Sequence, residues 1–326
     1  MKKINVGIVG YGNLGKGVES ALENQKEHFV LKTIFSNRDN LTSPFGNKFD
    51  KTSNLDKYEG KIDLLFLCGG SFNDIEKIGP ETIKKFNTVD SFDTHAKLEK
   101  YINKIDTIAK KSEKVAVCAG GWDPGLMSMI RLIFNSIAPT HTEANSFWGM
   151  GVSQGHSNAI RKIEGVANAI QYTIPNKKIV KNCGKLFDYV PDAQKKHDRL
   201  CYVVLKENAD ANKVKDEIVN MPNYFQGYNT TVKFVTNDKL TEMQKKMFHK
   251  GYVVKNFKCS DKYASKMSFN LELDSNPYFT AEILVALACA VSKLSNEKKY
   301  GCYSVFDLPL SYLSFENRNE LLKTTL

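Results

Sequence analysis

Ile4-Asn5-Val6-Gly7-Ile8-Val9-Gly10-Tyr11-Gly12-Asn13-Leu14-Gly15 is an apolar run that passes directly into glycines spaced G-x-G-x-x-G. The run fits a buried parallel strand, and residues 16–24 (KGVESALEN) fit the helix that follows. Each glycine has a physical task in such a strand–turn–helix unit. Gly10 permits the tight turn, Gly12 keeps a side chain from standing between backbone and a pyrophosphate, and Gly15 lets helix and strand pack closely. A pyrophosphate placed there meets free N–H groups and the positive end of the helix dipole. The stretch therefore predicts a dinucleotide site at the start of the chain.

Working outward, strand-like and helix-like runs alternate to about residue 120. Residues 29–35 (FVLKTIF), 62–68 (IDLLFLC), 87–93 (NTVDSFD) and 114–118 (KVAVC) read as strands, with helices expected over 73–86 and 97–112. This alternation predicts a parallel, doubly wound sheet of Rossmann type with right-handed crossovers. After Trp122 a helix over about 125–137 gives way to alternating strands at 202–205, 231–235 and 266–273, with a helix near 213–219. That texture predicts an α+β domain built on an open mixed sheet. Residues 280–294 (TAEILVALACAVSKL) form a strongly apolar helix expected to pack on the first domain. The fold class is thus α/β, with residues 1–122 and about 280–326 as dinucleotide-binding domain. Residues 123–279 form the second domain.

Two domains suit a chain of 326 residues, which is long for one core. No apolar stretch reads as approaching the roughly 20 residues of a membrane span, and Met1-Lys2-Lys3 leads straight into the first strand without a signal peptide. The seven cysteines make no C-x-x-C pair, so reduced thiols in a cytoplasmic protein are expected and no metal cage. The net charge of +10 comes from scattered lysines without a basic–aromatic cluster, which argues against nucleic acid and for solubility, with some attraction for anionic ligands.

The second strand ends Phe35-Ser36-Asn37-Arg38. A carboxylate there would accept from a ribose 2′-hydroxyl, whereas Ser36, Asn37 and Arg38 can all donate to a 2′-phosphate, so NADP is expected over NAD. Asp39, one residue on, leaves the NAD alternative open. Ligands of doubly wound sheets bind outside the carboxyl ends of the strands. Those ends are Cys68-Gly69-Gly70-Ser71, Ser91-Phe92-Asp93 and Gly120-Gly121-Trp122-Asp123. The first offers glycines and a hydroxyl to the cofactor; Asp93 and Asp123 bring two carboxylates able to hold a substrate ammonium and remove its proton. For Asp123 the plain structural alternative is a helix N-cap before Pro124.

Several runs together resemble the meso-diaminopimelate dehydrogenase family: the glycine turn 10–15, residues 89–93 (VDSFD), 121–125 (GWDPG), 147–149 (FWG), 151–157 (GVSQGHS), 171–173 (QYT) and 274–277 (DSNP). They occur in order over nearly the whole chain, and the 151–157 run is far more specific than the glycine fingerprint. The resemblance implies a homodimeric NADP-linked enzyme of lysine biosynthesis, with residues 123–279 as its substrate-binding and dimerisation domain. It would reversibly deaminate the D-centre of meso-2,6-diaminopimelate to L-2-amino-6-oxopimelate and ammonia. By motif match Asp93, Trp122, Asp123, Trp148, Gln154 and Gly155 surround the D-centre, and Thr173, Arg199, His249 and Asn276 hold the distal L-centre. Gly10, Tyr11, Gly12, Asn13, Leu14, Ser36, Asn37, Arg38, Cys68, Gly69, Gly70, Ser71, Ser91, Phe92, Asp93, Gly120 and Gly121 line the cofactor.

Charge complementarity agrees with that implication. A substrate with two carboxylates and two ammonium groups needs opposite charges for both ends, and Arg199 suits a carboxylate while Asp93 and Asp123 suit an ammonium. Either acid, or the pair, can be the base. Three positions depart from the family pattern: Asn37 stands where a second arginine is common, Asn158 replaces an aspartate and Met150 a proline. Another NADP-dependent Rossmann oxidoreductase for a different amino or oxo acid, and a non-catalytic NADPH sensor, are the competing readings.

Overall fold

A computed structural model describes residues 3–70, 74–139, 143–187, 189–244 and 248–326. In chain order its elements begin β1 (Ile4–Val9), α1 (Asn13–Glu23), β2 (Phe29–Phe35), β3 (Phe49–Asp50), β4 (Leu64–Leu67), α2 (Glu76–Thr82) and β5 (Asn87–Asp90). They continue with α3 (Leu98–Lys111), β6 (Val115–Val117), α4 (Leu126–Ile137), β7 (Asn145–Trp148), β8 (Gly151–Val152), α5 (Gln154–Arg161) and β9 (Val166–Pro175). Next come α6 (Lys177–Cys183), β10 (His197–Leu205), α7 (Ala211–Val219), β11 (Thr230–Phe234), α8 (Asn237–Gln244), β12 (His249–Lys258) and β13 (Ala264–Leu273). The chain closes with α9 (Asn276–Asn296), β14 (Gly301–Tyr303) and α10 (Arg318–Thr324). The chain divides into two compact units, Met1–Met129 with Pro277–Leu326, and Ile130–Asn276.

The first unit is built on a seven-stranded sheet in the order β14-β6-β5-β4-β1-β2-β3. Every neighbouring pair is parallel. The order reverses direction at β1, so the crevice between the β1 and β4 ends is the topological switch point at which such sheets bind ligands. Burial on both faces explains the unbroken apolar runs: β4 is buried at every position, and Val6, Ile8, Phe66 and Val89 are fully covered. The strand expected over 87–93 ends at Asp90, and the helix expected over 73–86 is the shorter α2.

Long apolar α9 shows why composition misleads about membranes. Against the expectation from sequence, it is long and apolar enough to cross one by length and composition, with mean hydropathy 1.4. Its apolar side chains are instead used inside the unit: Leu284, Val285, Leu287, Ala288 and Val291 are buried with the β1, β4 and β6 residues Ile8, Phe66 and Val117 in one core. Covering a few such side chains stabilises the unit by about 1.5–3 kcal/mol each.

The second unit contains the expected mixed sheet, four-stranded in the order β11-β10-β9-β8, and beside it a three-stranded antiparallel sheet, β13-β12-β7. β10 and β11 run parallel, while β9 is antiparallel to β10 and to β8. One face of the mixed sheet is sealed by α5 and α7 through Ile160, Ala169, Val203, Val214, Ile218 and Phe225. That face follows the period-two alternation of β10, in which His197, Arg199, Cys201 and Val203 are all buried. Of the four, only the last two are residues a core ordinarily takes.

Candidate functional site

The fingerprint turn has the geometry its spacing predicts. Gly10 adopts φ +93, a conformation costly to any residue with a Cβ, and its N–H donates to the Phe35 carbonyl of β2. A Cβ on Gly15 would lie 2.2 Å from the Gly10 carbonyl oxygen, so α1 reaches the strand only with glycine there. A Cβ on Gly12 would meet nothing within 4 Å. It would point into a cavity of about 650 Å³ lined by Gly10, Tyr11, Gly12, Ser36, Asn37, Arg38, Cys68, Gly69 and Gly70. α1 starts at Asn13 with no side-chain cap and no acidic residue in its first turn, leaving its positive end for an anion. Leu14 is spent in the core.

The adenosine end carries donors. Arg38 donates from its guanidinium to the Tyr11 carbonyl, and its own N–H reaches Ser36 Oγ at 3.2 Å. Asn37 Oδ1 accepts from the Thr52 hydroxyl and from Thr52 N at 3.3 Å, so its amide nitrogen is the end left for a ligand. Asp39 is paired with Lys51 at 2.6 Å, which lowers its pKa through the hydrogen bond, and it is absent from the cavity lining. The acid that would have favoured a ribose hydroxyl is thus neutralised elsewhere. Lys77 and Thr52 also line the cavity, two contributors that sequence reading missed because α2 and the 52–58 turn are brought there only by folding.

Not every predicted cofactor residue presents its side chain. Phe92 is fully buried against Tyr101, Ile75 and Ile105, and so offers only backbone. Gly70 N–H is already taken by Asp74 Oδ2 at 2.9 Å. Ser71 lies outside the described residues. Gly120 donates to the Asp90 carbonyl at 2.8 Å, and Gly121 accepts from Leu126 N at 2.9 Å.

Asp93 and Asp123 follow the ends of the neighbouring strands β5 and β6, Asp93 exposed and Asp123 half-buried. Asp123 is not the residue preceding α4: it lies in a turn bridged by Trp122 and Gly125, and α4 begins at Leu126. Trp122 is buried, with its carbonyl accepting from Met127 N at 2.8 Å.

In the second unit Gly151, Thr173 and Arg199 lie directly opposite one another across β8, β9 and β10. Arg199 is only 9% exposed; its Nη1 donates to Thr173 Oγ1 at 2.8 Å and its guanidinium stacks 4.3 Å from the Tyr228 ring. It forms no ion pair with a described residue. The imidazole of His249 covers Gly151 so closely that a Cβ there would lie 2.3 Å from the ring. Asn276 begins α9, three positions beyond Leu273, the β13 partner of His249. His197 Nε2 accepts from Trp148 N at 2.9 Å.

Two cations, Arg199 and Lys196, act on the imidazoles here. Burial, with the Arg199 charge second, pushes His156 down to about 4 and His197 to about 3, and burial also lowers His249. Two buried polar atoms among the described residues have no hydrogen-bond partner, Arg199 Nε and Gln171 Oε1. Both belong to this cluster, since Gln171 Nε2 reaches Thr173 Oγ1 at 3.4 Å. Such atoms cost about 1–3 kcal/mol each when left unmade. Gln171, Tyr228 and His197, which the sequence reading did not single out as site residues, lie in contact with Thr173, Arg199 and Trp148.

Gly155 lies exposed on α5, and Gln154 opens that helix, its side chain outside the described residues. Ser157 Oγ binds the helix to β9 by accepting from Gln171 N at 2.9 Å. Asn158 accepts from Arg161 at 2.6 Å, and Met150 is exposed after a cis Gly149–Met150 peptide.

The chain matches the family model described as diaminopimelic acid dehydrogenase C-terminal domain over residues 121–275. It is 43% identical to a meso-diaminopimelate D-dehydrogenase of Lysinibacillus sphaericus over the full length of both, and 33% identical to that of Corynebacterium glutamicum over 99% of each. Among solved structures, a mutant Clostridium tetani E88 enzyme with DAP superposes with TM-score 0.94 at 41% identity, covering 99% of this chain and 100% of that one. The Corynebacterium glutamicum enzyme in complex with DAP gives 0.93 at 32% identity over 100% of each. By sequence over its entire length and by fold, this chain belongs to the meso-diaminopimelate D-dehydrogenase family.

Proposed function

We propose that the protein catalyses the NADP-dependent, reversible oxidative deamination of the D-centre of meso-2,6-diaminopimelate to L-2-amino-6-oxopimelate and ammonia, a step of lysine biosynthesis. The observation that carries this reading is the buried Arg199, without an ion-pair partner among the described residues and with an orphaned Nε, beside Thr173. A fixed cation with spare donors calls for a carboxylate, and diaminopimelate brings one at its distal centre.

The cavity of the first unit fits the dinucleotide: a turn that leaves Gly12 open, an uncapped α1 and Arg38 as the cation for a 2′-phosphate. When bound, NADP⁺ supplies the hydride acceptor. Asp93 and Asp123 hold the D-centre ammonium and take its proton, since hydride leaves only from the neutral amine. The same carboxylates then draw a proton from the water that releases ammonia. Thr173, Arg199, His249 and Asn276 bind the distal centre, with neutral His249 donating to, not repelling, the distal ammonium's neighbouring groups. Trp122 excludes water beside the acids.

The chain acts as a cytoplasmic homodimer in this reading. Exposed Leu132, Ile133 and Ile137 on α4 support self-association, because a contiguous apolar helix face is costly to leave in water. An assay of NADPH formation with meso-diaminopimelate and, separately, D-alanine tests the function. Rapid NADPH formation with the first and little with the second is expected. NADPH binding without amine-dependent turnover would establish the sensor reading instead.

A further inference from the structure

Asp90, at the end of β5, has a carboxylate that is 1% exposed and reaches neither cavity nor solvent. Its bonds all go to the segments that follow β5 and β6. Oδ1 accepts from Phe92 N at 2.9 Å and from Ala119 N at 3.1 Å, and Oδ2 accepts from Tyr101 Oη at 2.9 Å. The Asp90 carbonyl accepts from Gly120 N at 2.8 Å. One residue therefore joins two strand ends through two of these hydrogen bonds, to Ala119 and Gly120, while the other two hold its own segment and α3, where Tyr101 stacks on Phe92 at 4.2 Å.

One detail shows that this arrangement holds a shape the chain would not adopt by itself. Ala119 sits at φ +58, in the left-handed region disfavoured for a residue with a Cβ and without a side chain able to satisfy itself locally. Gly120 follows in a place where a Cβ would lie 2.3 Å from Leu287. A buried carboxylate with neighbouring N–H donors is a strong acceptor, and aimed at Ala119 N it secures the bend that redirects the chain into the Trp122–Asp123 turn. The same oxygen fixes Phe92 N, and with it the segment that ends in Asp93.

We propose that Asp90 is the positioning residue of the reaction, setting Asp93 and the Trp122–Asp123 turn relative to one another through the backbone. The inference rests on the reading that these two acids serve the D-centre. Nothing in its own contacts gives Asp90 access to substrate or cofactor.

The test compares Asp90→Asn, Asp90→Ala and Tyr101→Phe with wild type, well below each variant's melting temperature. Readouts are kcat, KM, NADPH affinity and the primary deuterium isotope effect with substrate deuterated at the D-centre. Asn retains an Oδ1 acceptor for both amides but puts an NH2 donor where Oδ2 accepts from Tyr101 and removes the charge, so it should lower kcat by up to about tenfold, while Ala should fall about 100-fold, the scale of a 1 Å misplacement. The isotope effect should rise in both as hydride transfer becomes limiting, with NADPH affinity little changed. A lowered melting temperature with unchanged kcat and isotope effect in both would overturn the proposal. If Ala does not fold, Asn decides: an isotope effect equal to wild type's refutes it. A second readout is independent of turnover. In a Trp148→Phe background, Trp122 is the sole tryptophan, and its emission should shift red in Asp90→Asn or Ala. Unchanged emission overturns the proposal even if the wild type proves inactive on diaminopimelate, an outcome that would remove the proposed function by itself.

Discussion

Replacing Arg199 by Met separates what the residue does for substrate from what it costs the fold. In the free protein the guanidinium has one 2.8 Å bond to Thr173, a stacked Tyr228 and an unmade Nε bond, and it is nine-tenths buried. Met fills much of the same volume without a charge to desolvate. The lost bond to Thr173 is worth about 1.5–3 kcal/mol and the lost cation–π contact about 0.5–2 kcal/mol. Relief of burying an unpaired cation amounts to several kcal/mol. The melting temperature of the ligand-free variant should therefore equal or exceed that of wild type. Substrate binding has no such offset. Removing one partner of a buried charge pair costs about 2–5 kcal/mol, so kcat/KM for meso-diaminopimelate should fall roughly 30- to 4,000-fold. D-Alanine, which has no distal carboxylate, should be turned over no worse than by wild type. Steady-state kinetics with both substrates and a thermal melt decide the matter. Loss of both activities in the same proportion, or a fall below threefold for diaminopimelate, would refute the assignment of Arg199 to the distal carboxylate.

Three other outcomes are expected. Asp123→Asn should lower kcat by about 10²–10⁴, the range for losing a general base, with NADPH affinity by fluorescence titration within twofold of wild type. Arg38→Ala should lower kcat/KM for NADP⁺ about 10- to 150-fold, the equivalent of one charge-assisted contact, and leave NAD⁺ nearly unaffected in parallel coenzyme titrations. Burial, followed by the Arg199 and Lys196 charges, pushes the pKa of His197 to about 3 against 6.5 unfolded, and its neutral Nε2 accepts from Trp148 N. Below pH 6.5 the unfolded chain binds a proton that the folded one refuses. Its contribution is therefore whole above pH 6.5 and drains away as pH falls toward 3. Melts between pH 7.5 and 4.5 should show a shallower decline for His197→Gln than for wild type.

Local sequence decided the first unit almost completely. Buried parallel strands are continuous apolar runs, and the turn requires glycine at Gly10 for its φ and at Gly15 for its close approach, so fold class, cofactor turn and Arg38 were legible at residues 4–38. The distal cluster could not be read that way. Thr173, Arg199, Gly151 and His249 come from four strands scattered over a hundred residues, and only strand register makes them neighbours. Family resemblance named four residues for the distal centre; it could not say that Arg199 would be buried without an ion pair to any described residue, or that Tyr228 would stack on it. Asp90 passed unnoticed because a carboxylate at a strand end is ordinary in sequence, and its meaning lies in the Ala119 and Tyr101 groups that folding delivers. The N-cap alternative for Asp123 likewise fell to the turn over residues 121–126, whose path the order of residues left open. Periodicity and steric exclusion act between residues close in the chain and can be read from it. Pairing of charges and donors across strands depends on register and crossover, which exist only once the sheets have formed.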